Sequence, residues 1–236
     1  MHLFYSKDFS RTNPMLDEKE SHHAIHVLRL QKNDIVSVSN GKGNVFVGSI
    51  EEIQKKGCSI TIQDEKPLVD NSAKGFHLAI SPTKSMDRIE WIVEKCTELG
   101  IEQITFLKSR YSERKDLNLT KLQAIAAGAM KQSQRAYLPI LTEMIPFMDF
   151  LKRKPVDLQT FIACQYESIG VNEWVKKLPL HATNCIMIGP EGGFSEEEVI
   201  FAIQNNIQPI SLGENRLRTE TAAVSACHLM NIFKTW

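Results

Sequence analysis

The stretch Cys185-Ile186-Met187-Ile188-Gly189-Pro190-Glu191-Gly192-Gly193-Phe194-Ser195-Glu196-Glu197-Glu198 decides how the chain is read. Its first four residues are uninterruptedly apolar, the pattern of a strand covered on both faces. Its last four open a helix: Ser195 with Glu198 three residues on is a capping box. Glu196 and Glu197 add negative charge where the helix dipole favours it. Between strand and helix lie three glycines, which let the backbone take positive φ and approach a ligand with no Cβ in the way. In open α/β sheets, ligands bind at such carboxyl ends of strands. The spacing G-x-x-G-G is neither the dinucleotide G-x-G-x-x-G nor the phosphate loop G-x-x-x-x-G-K-[ST]. Glu191 also sets a carboxylate where a phosphate would sit. A ligand with positive charge and no phosphate fits the stretch; with no ligand, it is a tight strand-to-helix turn.

Outward from this stretch, strands and helices alternate over the whole C-terminal part. The spacing predicts Phe76 to Ile80 and Met86 to Leu99, Gln103 to Leu107 and Leu119 to Arg135, Leu158 to Ala163 and Val171 to Lys177, Cys185 to Ile188 and Ser195 to Asn205, then Pro209 to Leu212 and Thr219 to Phe233. Such alternation implies crossover units and a mostly parallel sheet with helices on both faces. In Met86 to Leu99, Ile89, Ile92, Val93, Cys96 and Leu99 form the buried stripe and Gly100 the stop; Trp91 belongs to core or interface. Before Pro67 the texture differs. Short β-type runs at Ile35 to Ser39, Asn44 to Ile50 and Cys58 to Gln63 surround one helix at Asp17 to Leu30, whose stripe is Ala24, Val27, Leu28 and Ile25. The fold class is therefore α/β with a small N-terminal β domain, and the domains are residues 1–70 and 73–236, divided in the polar stretch Lys66 to Ser72.

The 236 residues carry 28 basic and 28 acidic side chains, so no overall basic excess announces a nucleic-acid partner and any such contact must come from local patches. Cys58, Cys96, Cys164, Cys185 and Cys227 are scattered singly, without a C-x-x-C pair; they read as buried thiols in a reducing compartment. His22, His23 and His26 lack cysteine or carboxylate companions, so no metal is expected. No run approaches the roughly 20 apolar residues of a spanning helix, and the N-terminus has no leader pattern, so a cytosolic protein is expected.

A second stretch completes the site: Ser211-Leu212-Gly213-Glu214-Asn215-Arg216-Leu217-Arg218-Thr219-Glu220-Thr221-Ala222-Ala223. A short strand again ends in glycine, a charged loop follows, and a helix opens with small residues that allow close approach of another element. Gly189 and Gly213 thus end two successive strands, which makes them candidates for two walls of one pocket.

Together, IGPEGGFSEEE (188–198) and LGENRLRTETAA (212–223) resemble the C-terminal signature of the 16S ribosomal RNA uridine-N3 methyltransferases, a branch of the knotted α/β (SPOUT) methyltransferase superfamily. The resemblance extends in order through His26-Val27-Leu28-Arg29, Ser81-Pro82-Thr83-Lys84, Glu94 to Gly100, Ser109-Arg110-Tyr111-Ser112 and Lys131-Gln132-Ser133-Gln134-Arg135. The chain departs from the family pattern near Leu3, Ser85 and Gly128.

The resemblance implies an N-terminal PUA-like β-barrel domain for RNA and a C-terminal α/β trefoil-knot domain holding S-adenosylmethionine, in a homodimer that acts on 16S rRNA of the small (30S) ribosomal subunit. Ile188, Gly189, Glu191, Gly193, Leu212, Gly213, Leu217 and Arg218 match positions around the cofactor. In-line transfer from a sulfonium requires alignment, exclusion of water and no metal. The protonated uridine N3 requires a base and a stabiliser for the anionic ring; Glu220 and Arg218 are the candidates, while Glu220 also suits the first turn of a helix by charge alone. RNA contacts are expected at Arg29, Lys84, Arg110 and Arg135; Lys152-Arg153-Lys154 reads as a solubilising face. The rival readings are a nucleotide-dependent oxidoreductase or kinase, which would need a phosphate-type glycine loop early in the α/β part, and a non-catalytic RNA-binding module.

Overall fold

A computed structural model describes residues 2–54, 57–67, 75–166, 168–178 and 183–235. The expected division between the domains, residues 71–72, lies outside them. The chain forms two compact units, Met1–Asp70 with Ala127–Leu138, and Asn71–Ala126 with Pro139–Trp236.

The first unit is built on a four-stranded sheet in the order β1 (Leu3–Tyr5), β2 (Ile35–Ser39), β3 (Asn44–Gln54), β4 (Gly57–Pro67). β1 runs parallel to β2 and the other neighbours are antiparallel. β3 and β4 run well past their apolar stretches because the hairpin ladder continues through exposed Glu51, Glu52 and Gln54, where backbone pairing needs no buried face. Phe4, Phe9, Val36, Val38, Phe46, Ile50 and Ile60 fill the core. Asp17 caps α1 (Glu18–His22) by accepting from the Glu20 amide, and the helix passes into one π turn, His23–Val27. The wider turn breaks the expected stripe: Ala24 is buried, but Val27 is 60% exposed. Ala127–Leu138, which the sequence places in the second domain, belongs here by its bonds. The Ser39 hydroxyl and the Gly43 amide donate to the Ala136 carbonyl (3.1 and 3.0 Å), and Lys131 pairs with buried Glu20.

In the second unit six parallel strands lie in the order β10-β8-β9-β5-β6-β7. They are β5 (Phe76–Ile80), β6 (Gln103–Lys108), β7 (Ile140–Pro146), β8 (Gln159–Ala163), β9 (Asn184–Ile188) and β10 (Gln208–Ile210), with helices α2 (Met86–Glu98), the part of α3 (Leu119–Gln132) before Ala127, α4 (Phe147–Arg153), α5 (Val171–Lys176), α6 (Glu196–Gln204) and α7 (Thr219–Thr235). β7 and α4 have no counterpart in the sequence reading. β7 is an edge strand with exposed Ile140 and Glu143, so its pattern is weak, and Pro146 joins it directly to α4 without a loop. The predicted stripe of α2 is buried from Ile89 to Cys96, whereas Trp91, on the opposite side, is 42% exposed, which removes it from the core. α2 packs on α7, where the Cys96 and Cys227 sulfurs lie 3.3 Å apart and the Asn231 amide donates to the Leu99 carbonyl at 2.6 Å. β9 follows β8 in the chain yet lies between β8 and β5, so the carboxyl ends of β8, β9 and β10 face the same end of the sheet. Among the described residues, no helix is long and apolar enough to cross a membrane.

Candidate active site

The capping box forms as the sequence requires. The Ser195 hydroxyl accepts from the Glu198 amide (3.3 Å) and the Glu198 carboxylate from the Ser195 amide (2.9 Å). Its other oxygen takes the Arg110 amide at 2.8 Å, so one buried glutamate fixes both the start of α6 and the turn after β6. Ahead of α6, the chain folds back on itself, with the Gly193 amide donating to the Pro190 carbonyl at 2.9 Å. A Cβ on Gly189 would lie 2.8 Å from the Gly193 carbonyl carbon, so the turn closes only on glycine. Gly193 has φ +75°, and a Cβ there would meet nothing within 4 Å; Gly213, at φ +139°, is equally open.

Several hydrogen bonds tie this turn to its surroundings, among them Arg216 Nη2 to the Glu191 carbonyl at 3.4 Å. The Thr219 hydroxyl, at the start of α7, donates to the Gly189 carbonyl at 3.1 Å and is buried. The Ser81 amide at the end of β5 donates to the Ile188 carbonyl (2.9 Å), and the Lys84 amide to the Glu191 carboxylate (3.1 Å). The turns after β9 and β10 therefore face one cleft of about 1040 Å³, and Ile188, Gly189, Glu191, Gly193, Leu212, Gly213, Leu217 and Arg218 all line it. A third wall was not legible: Ala163, Cys164, Gln165 and Tyr166 after β8. That segment has no glycine or cap to mark it, and it joins the cleft because the Cys164 amide pairs with the Ile210 carbonyl at 3.0 Å. Burial pushes the Cys164 thiol up, so it presents a neutral wall.

Comparison with known proteins decides the family. Residues 70–231 match the RNA methyltransferase domain, and residues 16–63 the RNA methyltransferase PUA domain. The chain is 30% identical over 219 residues to the ribosomal RNA small subunit methyltransferase E of Rickettsia conorii, covering 89% of this chain and 86% of that protein. This chain belongs to that family of RNA methyltransferases. A probable rRNA-methyltransferase from Porphyromonas gingivalis superposes with a TM-score of 0.91 at 33% identity, covering 100% of this chain and 99% of that one. The ribosomal RNA small subunit methyltransferase E of Neisseria gonorrhoeae, solved bound to S-adenosyl methionine, superposes with a TM-score of 0.87 at 25% identity, covering 98% and 97%.

Within the cleft, Arg218 is exposed at the rim and its side chain pairs with no described residue, so its guanidinium is open to a ligand. Glu220 does not line the cleft. It stands one ion pair behind it, Oε1 3.5 Å from Nε of Arg88, which does line the cleft; Oε2 is buried with no hydrogen-bond partner among the described residues. Arg88 was not singled out in the sequence because a lone arginine in an amphipathic helix carries no signal. Lys84 and Arg110 flank the cleft, each held by its backbone amide. The Lys84 ammonium bonds Glu113 at 2.9 Å, which raises its pKa, whereas the Arg110 side chain is exposed. Arg29, exposed and in a left-handed conformation (φ 57°), and half-buried Arg135 belong to the first unit. The rings of His22 and His26 are 4.7 Å apart, and no group of three or more metal-type side chains forms among the described residues.

Proposed function

We propose that this chain transfers a methyl group from S-adenosylmethionine to N3 of a uridine in 16S rRNA of the small ribosomal subunit. The observation that carries the reading is that eight residues from two sequence stretches line one cleft, joined by the Thr219 to Gly189 hydrogen bond. The cleft fits the cofactor: Gly193 and Gly213 leave open space where side chains would otherwise project, and Glu191 suits a cationic ligand rather than a phosphate. When bound, S-adenosylmethionine supplies an electrophilic methyl group on sulfur. The backbone around Gly189 to Gly193, Leu212 and Leu217 would hold it in line for transfer. Arg218, free at the rim, would stabilise negative charge on the uridine carbonyls. Glu220, paired with Arg88 behind the cleft, is the candidate base for the N3 proton.

In this reading residues 1–70 form a PUA-like barrel and 73–236 a domain whose trefoil knot brings the loops after β9 and β10 together, with two copies per active molecule in the cytosol. Arg29, Lys84, Arg110 and Arg135 would contact RNA phosphates. The test is mass-spectrometric mapping of methylated bases in 16S rRNA from a strain lacking the protein, before and after complementation. One N3-methyluridine that disappears and returns is expected; an unchanged map would exclude this substrate.

A further inference from the structure

At the opposite end of the parallel sheet lies a second cavity, of about 610 Å³, to which the methyltransferase reading assigns nothing. It is lined by the amino-terminal parts of β5, β6 and β7 and closed by α4 and the loop after it. Register puts His77 beside Gln103, and Thr105 beside Thr142, on one face of three neighbouring strands. Further along, the same face is apolar, with Ala79 and Leu107 packed with Phe150 in the main core. A sheet face under a helix is ordinarily apolar throughout, so four polar side chains at one end of it are a departure that costs stability.

The polar groups there are only partly satisfied. Thr105 Oγ1 bonds His77 Nε2 at 2.8 Å and accepts from the Gln103 amide nitrogen at 3.2 Å. Among the described residues the Gln103 carbonyl and His77 Nδ1 make no further hydrogen bond, and the buried Thr142 hydroxyl makes none. His77 is 5% exposed and stands edge-on to Phe150, ring centroids 5.7 Å apart. Desolvation lowers its pKa to about 4, so the floor of the cavity is uncharged at neutral pH. Around the rim, Arg153 and Lys154 stand among Glu102, Glu143 and Asp157, a mixed-sign set with a single acid in excess, so no strong field selects an ion.

We propose that this cavity binds a small uncharged heteroaromatic molecule of nucleobase or nucleoside size. Its polar edge would meet Thr142, Gln103 and His77, and its ring would lie against the His77–Phe150 pair. Pockets of this size with a few convergent polar groups in an apolar wall suit such ligands.

Methyl-selective NMR of the full chain titrated with uridine, and separately with adenosine, tests the proposal. At least one of them is expected to shift the methyl signals of Thr142, Ile145 and Leu158. Gln103→Leu should then weaken binding roughly ten-fold, the equivalent of one lost hydrogen bond. Thr142→Val, isosteric and free of folding risk, should do the same when followed at Ile145 and Leu158. Shifts confined to Leu212 and Leu217 would place both nucleosides in the first cleft and overturn the proposal, as would affinity unchanged by both substitutions or no shift at millimolar ligand.

Discussion

At the scale of single residues the site rests on backbone that strongly favours glycine. Gly193 sits at φ +75° with its Cβ direction open to the cleft. Valine there would be strained by about 1–3 kcal/mol and would project into the space proposed for the cofactor. Gly193→Val is therefore expected to weaken S-adenosylmethionine binding by more than about 100-fold, or roughly 3 kcal/mol, in titration calorimetry. Wild-type affinity in a folded variant would remove this turn from the binding site. Arg218 makes the opposite prediction. Since its side chain has no partner among the described residues, Arg218→Ala should leave the melting temperature unchanged and cofactor affinity within about 3-fold, but lower the single-turnover rate about 10²- to 10³-fold, as loss of a charge-stabilising donor does. An unchanged rate at saturation would reassign the stabilising role. Gly193 was legible in sequence because glycine spacing and the Ser195–Glu198 pair carry local geometry, whereas Arg218 was singled out only through the family resemblance. Arg88 was not singled out, because what distinguishes it is Glu220, more than a hundred residues away.

At the scale of elements, Glu198 does more than its place in a capping box suggests. It satisfies the Ser195 amide and the Arg110 amide together while 6% exposed. Ser195→Ala should cost about 1 kcal/mol, the ordinary loss of a cap. Glu198→Ala should cost about 2–3 kcal/mol, because two amides in different segments lose their acceptor. Chemical denaturation of the two variants distinguishes them, and equal losses would show that the Arg110 turn holds without Glu198. The sheet and α4 enclose a further titrating element, His77. Its folded pKa, about 4, lies below the ordinary 6.5, so as pH falls through that window the unfolded chain takes up the proton first and stability is lost, by up to about 3 kcal/mol. Urea unfolding at about pH 7 and about pH 4.5 should show that loss in the wild type and less of it in His77→Asn; the same loss in both would place the titration elsewhere. Elements with strong periodicity, such as α2, α6 and the buried strands, were readable in advance. β7 was not, because an edge strand need not alternate cleanly, and the π turn at His23–Val27 displaces Val27 in a way that no 3.6-residue period anticipates.

At the scale of the molecule, the α/β class followed from alternation alone, but the assignment of Ala127–Leu138 to the first unit did not, since it depends on backbone bonds to residues 39–43. Charge is also a property of the whole. With 28 basic and 28 acidic residues, general attraction to RNA is weak, and affinity must come from a few placed cations. If Arg29, Lys84, Arg110 and Arg135 each displaced one counterion, log K against log[salt] would fall with a slope of about −3. The four are not equivalent, however. Lys84 already bonds Glu113, so binding RNA there exchanges one anion for another and releases little. Arg110 is held through its backbone, its guanidinium left in solvent. Arg110→Ala should therefore lower the magnitude of the slope by about one, and Lys84→Ala by clearly less, in filter binding to 16S rRNA across salt concentrations. An equal effect of the two would mean that RNA displaces Glu113 from Lys84, and no effect of Arg110→Ala would remove the turn after β6 from the RNA path.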